Sequence, residues 1–245
     1  VARQTITGKL FALPMPAPVR ILTAVPIWDG HDSAINTINL EFIRHGIEVV
    51  YLGYHRSVED IVRTAIQEDV GAIGISSYNG GHVEFFSEVA RALRKKGADD
   101  IKLFGGGGGT ITKADAALMR RNGVHKIFFA GTALTVLADF VRAKYGKTNR
   151  KRRKPTPDMK LARALTEIED RYAKNKRARK FAKTKSSGKT RVIGFTGPGG
   201  AGKTTLIDEL VLRLLRREPK ARIAILSHDP SVVGEGALLG DRATM

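Results

Sequence analysis

The chain has 245 residues, 42% of them apolar, no cysteine and a formal charge of +18. That length accommodates one large domain or two modest ones, and the lack of cysteine removes disulfides, thiolate zinc sites and iron–sulfur clusters together. No apolar run approaches the ~18 residues of a membrane helix, so a soluble, cytoplasmic protein without a membrane partner is expected.

Residues 1–18 read as an extended arm. Arg3 and Lys9 precede Leu10-Phe11-Ala12-Leu13, but prolines at 14, 16 and 18 break the run before it reaches the length of a signal-peptide core. From residue 19 to 146, short β-branched runs alternate with helix-like stretches. Strands are expected at Ile21–Val25, Glu48–Leu52, Ala72–Ile75, Ile101–Phe104 and Lys126–Phe129. Helices are expected at Asp32–His45, Ser57–Glu68, His82–Lys96, Lys113–Asn122 and Leu134–Tyr145. This alternation predicts an α/β domain, a flavodoxin-like doubly wound parallel sheet.

After the first expected strand comes Trp28-Asp29-Gly30-His31-Asp32, at the sheet edge where such folds bind ligands. Asp29 and His31 are two apart and can project to the same side of an extended loop. A carboxylate accepting from one imidazole nitrogen leaves the other basic and aimed outward, the arrangement usual for metal-bound histidines. The plain alternative is that Asp29 or Asp32 caps the next helix and His31 is a solvated loop residue. Gly105 to Gly109 follow the fourth strand; they are either a floppy turn or a backbone that must approach a bulky ligand. Gly131-Thr132 follows the fifth.

The basicity is local. Lys147 to Thr190 holds seventeen Lys and Arg against four Asp and Glu, +13 of the total charge. Such a block is more often a solvated linker than a sequence-specific reader, and residues 147–189 are assigned as one, with a polar helix over Asp158–Lys183. Few aromatics interleave it, so a nucleic-acid partner is not expected, although binding by charge alone stays open.

Arg191–Thr196 reads as a strand, followed by Gly197-Pro198-Gly199-Gly200-Ala201-Gly202-Lys203-Thr204 and a helix over Leu206–Arg217. This is G-x-x-x-x-G-K-[ST] in strand–loop–helix context, a phosphate-binding loop. Successive N–H groups and the helix N-terminus would cradle phosphates, Lys203 would neutralise the β- and γ-phosphates as the catalytic cation, and the Thr204 hydroxyl would ligate Mg²⁺. Thr205 closes the loop and supports the helix start. Ala221–Ser227 reads as the next strand, ending in His228-Asp229-Pro230. Residues 190–245 are the N-terminal part of a P-loop NTPase domain, and with no further strand or base-reading motif after Met245 the chain is expected to be a piece of a longer polypeptide.

Spacing connects these features. Asp29-x-His31-x-x-Ala34, then Ser76-x-Tyr78 after forty-one intervening residues, then Gly105-Gly106 after twenty-six, resembles the cobalamin-binding domain of the coenzyme-A carbon-skeleton mutases. Ala34 stands where that pattern has glycine and Tyr78 where it has leucine. A receiver domain of the same architecture is excluded: the third strand ends in Ser76-Ser77, with no phosphoacceptor acid, and the fifth in Phe128-Phe129-Ala130, with no lysine. The C-terminal part resembles the GTPase chaperones of cobalamin-dependent acyl-CoA mutases. Together, residues 19–146 and 190–245 resemble the fused isobutyryl-CoA mutases. The resemblance implies that His31 ligates the cobalt of adenosylcobalamin, buttressed by Asp29. It implies that Ser76, Gly105, Gly106 and Thr132 line the groove for the cofactor's nucleotide tail, and that Asp229 and Asp241 join Thr204 at Mg²⁺. Asp229 before proline could equally be a turn former and Asp241 an exposed loop charge. It further implies a homodimeric, GTP-binding radical isomerase that interconverts isobutyryl-CoA and n-butyryl-CoA, with an acyl-CoA barrel outside this chain and GTP hydrolysis gating cofactor loading. A cobalamin carrier or sensor with a nucleotide switch, and a basic P-loop ATPase acting on nucleic acid, are the other readings.

Overall fold

A computed structural model describes residues 19–31, 33–146, 155–174, 190–198 and 200–226. Residues up to 174 belong to one unit and 190–226 to a second.

In the first unit five strands, β1 (Val19–Ala24), β2 (Ile47–Tyr51), β3 (Ala72–Ser76), β4 (Lys102–Gly106) and β5 (Lys126–Phe128), pair in parallel in the order β2-β1-β3-β4-β5. The order reverses direction between β1 and β3, so a crevice opens at their carboxyl ends. Helices α1 (Ser33–Arg44), α2 (Val58–Gln67), α3 (His82–Lys95), α4 (Lys113–Arg121) and α5 (Leu134–Tyr145) make the crossovers. Each falls within a residue or two of its expected bounds, because the local stops are strong. Ser57 accepts from the Asp60 N–H at the start of α2, and Thr112 and Asp115 close a reciprocal capping box on α4.

The central strands carry apolar residues on both faces, as a sheet covered twice requires. One face buries Leu22, Ile61, Ile73, Phe85, Phe86 and Leu103 beneath α2, α3 and α4. The other buries Ile21, Phe42, Phe104, Leu137, Val141 and Tyr145 beneath α1 and α5. Gly74 in β3 is glycine because a Cβ there would come within 2.7 Å of the Phe104 ring.

The segment read as a linker opens with a helix that packs on this domain. Helix α6 (Pro157–Lys174) inserts Met159, 1% exposed, and Ala162 into the α2 face. Arg163 pairs with the buried Asp69 at 3.3 Å, and Arg20 of β1 reaches Glu169 at 2.7 Å while also pairing with Glu48. Burying the methionine contributes roughly 1.5–3 kcal/mol, more than the ~0–1 kcal/mol of a pair whose Glu169 side is solvent-exposed. The apolar anchor therefore holds the helix and the charges set its register. Residues 175–183, the expected remainder of the polar helix, lie outside the described residues.

In the second unit α7 (Lys203–Arg217) is the regular element among the described residues. The strands expected at Arg191–Thr196 and Ala221–Ser227 do not form among the described residues, which reach 226: both runs are unpaired there, with Val192 91% and Leu226 98% exposed. A strand is stabilised by its ladder and by covered faces, not by an apolar run alone, and neither run has a paired neighbour among the described residues.

Candidate functional site

The Asp29–His31 loop leaves β1 at the switch point of the sheet. A turn closed by the Asp29 N–H donating to Pro26 O, 3.0 Å, points the Asp29 carboxylate inward, where it is fully buried. Oδ1 accepts from the His31 backbone N–H at 3.0 Å and lies 2.8 Å from His31 Nδ1. Oδ2 accepts from the N–H groups of Tyr78 at 2.6 Å and Asn79 at 3.2 Å, in the loop after β3. One carboxylate thus ties the two loops at the crevice together.

Burial by itself would raise the Asp29 pKa. The hydrogen bonds from His31 N, Tyr78 N, His31 Nδ1 and Asn79 N outweigh it and hold the carboxyl below its ordinary 3.8. With Asp29 ionised, the His31 proton belongs on Nδ1. Nε2 is left with a free lone pair, makes no hydrogen bond among the described residues, and sits on a side chain 57% exposed. The expected pairing of Asp29 with His31 is present. Asp29 is a buried organiser of both loops, not a helix cap.

The sign of the linkage gives a test. A depressed folded pKa contributes stability that is present above 3.8 and lost as pH falls through the folded value. Asp29→Asn removes that contribution, so the stability gap between parent and variant is expected to be widest near neutrality and to shrink below 3.8. Thermal melts across pH 3–7 would show it, and a gap that stays constant would contradict it.

Several neighbours of the loop were not legible as site residues. Trp28 donates Nε1–H to Gly80 O at 3.0 Å and packs edge-on against Phe85 at 5.0 Å. His55, at φ 57, lies 2.7 Å through Nδ1 from Ile27 O. Tyr78, first met as a departure from the motif, anchors Asp29 through its backbone.

Ser76, Gly105, Gly106 and Thr132 come together on the wall of one cavity of about 190 Å³, between the carboxyl ends of β3–β5 and helices α1 and α5. Ile35, Phe42, Phe104, Phe128 and Leu137 make its floor apolar, and Ala34 joins the lining. The glycine run has an internal reason as well as an external one. A Cβ on Gly105 would strike Ile75 O and the Phe86 ring, and one on Gly106 would come within 2.6 Å of Phe128 O. The Thr132 hydroxyl already donates to Phe129 O at 2.7 Å, which leaves it an acceptor towards the cavity.

In the second unit Gly200 and Gly202 adopt φ 75, the left-handed conformation that turns successive amides to one side. Gly202 caps α7, and Lys203 begins it. Lys203 Nζ donates to the carbonyls of Gly197 and Pro198, both at 2.8 Å, which places its charge over the loop mouth. Ala201, Thr204 and Thr205 are exposed beside it. Gly199, Asp229 and Asp241 lie outside the described residues.

Residues 19–138 match the B12 binding domain, and residues 161–245 match the methylmalonyl Co-A mutase-associated GTPase MeaB. The second match begins inside α6. The chain is 40% identical, over 93% of its length, to the fused isobutyryl-CoA mutase of Geobacillus kaustophilus, and 36% identical, over 99%, to that of Cupriavidus metallidurans. It spans 23% and 24% of those relatives, about a quarter of their length. Its first half is 33% identical to the 2-hydroxyisobutanoyl-CoA mutase small subunit of Aquincola tertiaricarbonis, covering 91% of that protein. With a B12-binding domain followed by a MeaB-type GTPase segment, the chain belongs to the B12-binding acyl-CoA mutase family, in the domain order of the fused isobutyryl-CoA mutases.

Proposed function

We propose that this chain is the cobalamin-holding and nucleotide-switch portion of an adenosylcobalamin-dependent mutase that interconverts isobutyryl-CoA and n-butyryl-CoA. The observation that carries the reading is the His31 Nε2 lone pair, presented at the switch point by an imidazole whose Nδ1 is held 2.8 Å from a buried carboxylate. The donor set fits cobalt: a neutral imidazole nitrogen is a good ligand for a late first-row metal, and its orienting partner is the usual one. The cavity beside it fits a flat, largely apolar group entering tail first, with Ser76 and Thr132 as polar contacts and Gly105 and Gly106 as close-approach backbone.

Bound adenosylcobalamin supplies radical chemistry for a 1,2-shift, and the organic steps are the cofactor's own. Of this chain's residues, His31 would offer Nε2 to the cobalt, Ser76, Gly105, Gly106 and Thr132 would wall the tail, and the ionised Asp29 would hold the imidazole in place. The acyl-CoA barrel lies outside the chain, and substrate identity rests on the relatives' names. Lys203 and Thr204 hold GTP and Mg²⁺ with Asp229 and Asp241, and hydrolysis gates cofactor loading. A cytoplasmic homodimer is the assembly this reading implies; among the described residues no helix is long and apolar enough to cross a membrane.

Adenosylcobalamin titrated into the protein in the dark is expected to bind one per chain and to lose the absorption of its own coordinated benzimidazole. A corrinoid that separates from the protein on a desalting column and elutes in the salt volume would overturn the proposal.

A further inference from the structure

Tyr78 does more in this structure than occupy a position where the family pattern has leucine. Its ring centroid lies 4.7 Å from that of His31, tilted by 39°. The same ring rests on the backbone of Gly108, where an added Cβ would come within 2.6 Å of it. Its backbone N–H donates to Asp29 Oδ2 at 2.6 Å, the carboxylate whose other oxygen holds His31. The three residues form a closed unit in which one buried carboxylate fixes both ring-bearing residues and the rings fix each other.

An exposed imidazole tethered only at Nδ1 can still pivot about that hydrogen bond. A second contact on the ring face removes the pivot and leaves Nε2 on one bearing. We propose that Tyr78 is a positioning residue for the metal-facing nitrogen: its aromatic face, not its hydroxyl, selects the His31 rotamer that presents Nε2 to a corrinoid. Leucine at this position would keep the bulk but present no flat face. The inference rests on the corrinoid reading above and adds to it a residue-level determinant of how firmly the axial base is held.

The test uses the whole chain with Tyr78→Phe and Tyr78→Leu. Tyr78 is about half exposed, so both variants are expected to fold, with melting curves as the check. The first readout needs no cofactor: with carbon-13-labelled histidine, the His31 ring protons, assigned by their loss in His31→Ala, carry the ring-current shift of the tyrosine. That shift is expected to persist in Tyr78→Phe and to vanish in Tyr78→Leu. The second readout is the adenosylcobalamin titration. Aromatic pairs contribute about 0.5–1.5 kcal/mol beyond area burial, so Tyr78→Leu is expected to weaken binding roughly 2- to 12-fold with a smaller histidine-ligated fraction, whereas Tyr78→Phe stays within about twofold. Tyr78→Leu binding adenosylcobalamin as tightly as the parent, with the same histidine-ligated fraction, would overturn the role of the ring and leave the corrinoid reading intact. Tyr78→Phe failing like Tyr78→Leu would overturn it in favour of the hydroxyl. A parent chain that takes up no cobalamin would instead sink the functional reading on which the inference stands.

Discussion

His31→Ala is expected to lower adenosylcobalamin affinity by about 100-fold or more, since altering the residues behind a metal ligand already costs ~10–100-fold and this substitution removes the ligand itself. Whatever corrinoid still binds should keep its own benzimidazole coordinated. The fold should survive with a modest loss: the His31 side chain is more than half exposed, but its Nδ1 is one partner of the buried Asp29 carboxylate, and losing such a partner costs about 1–3 kcal/mol. Unchanged affinity and spectrum would remove the imidazole from the site. A variant that unfolds would show that His31 serves the Asp29 network and not a ligand.

Lys203→Ala is expected to reduce nucleotide hydrolysis by at least ~10²-fold, the scale on which removing one positioned donor to a developing anion acts. Lys203 Nζ sits over the loop mouth on the carbonyls of Gly197 and Pro198. Cobalamin uptake, which we propose to depend on residues between 29 and 132, should be unaffected in the isolated binding step. Turnover retained in Lys203→Ala would withdraw the phosphate-binding assignment, and corrinoid affinity lost with it would contradict the independence of the two sites.

The sheet of the first domain was legible because each strand is a short apolar run between strong helix signals, and the order β2-β1-β3-β4-β5 is that of the expected flavodoxin-like class. The Asp29–His31 pair was legible because its chemistry is local, two residues apart. What was not legible spans distance. The N–H groups of Tyr78 and Asn79 that complete the Asp29 shell come from a loop forty-nine and fifty residues away, and nothing at position 78 marks a backbone donor. Gly105 was read as making room for a ligand, yet it also makes room for Ile75 O and the Phe86 ring. Helix α6 was expected as a polar helix, but its docking was hidden by charge: the docking face is little more than Met159 and Ala162, too narrow to stand out among lysines and arginines. The strands expected at 191–196 and 221–227 fail, over their described residues, for the complementary reason. Their apolar runs are strand-like locally, but a ladder is a property of neighbours.

On the proposed function, His31 supplies a nitrogen ligand to the cobalt of a bound corrinoid. This is tested most directly by electron paramagnetic resonance of the protein with cob(II)alamin after nitrogen-15 labelling of every histidine. Cobalt lines split into doublets by a labelled imidazole nitrogen are expected, as is their loss in His31→Ala. Triplets from the unlabelled nitrogen of the cofactor's own benzimidazole would contradict it.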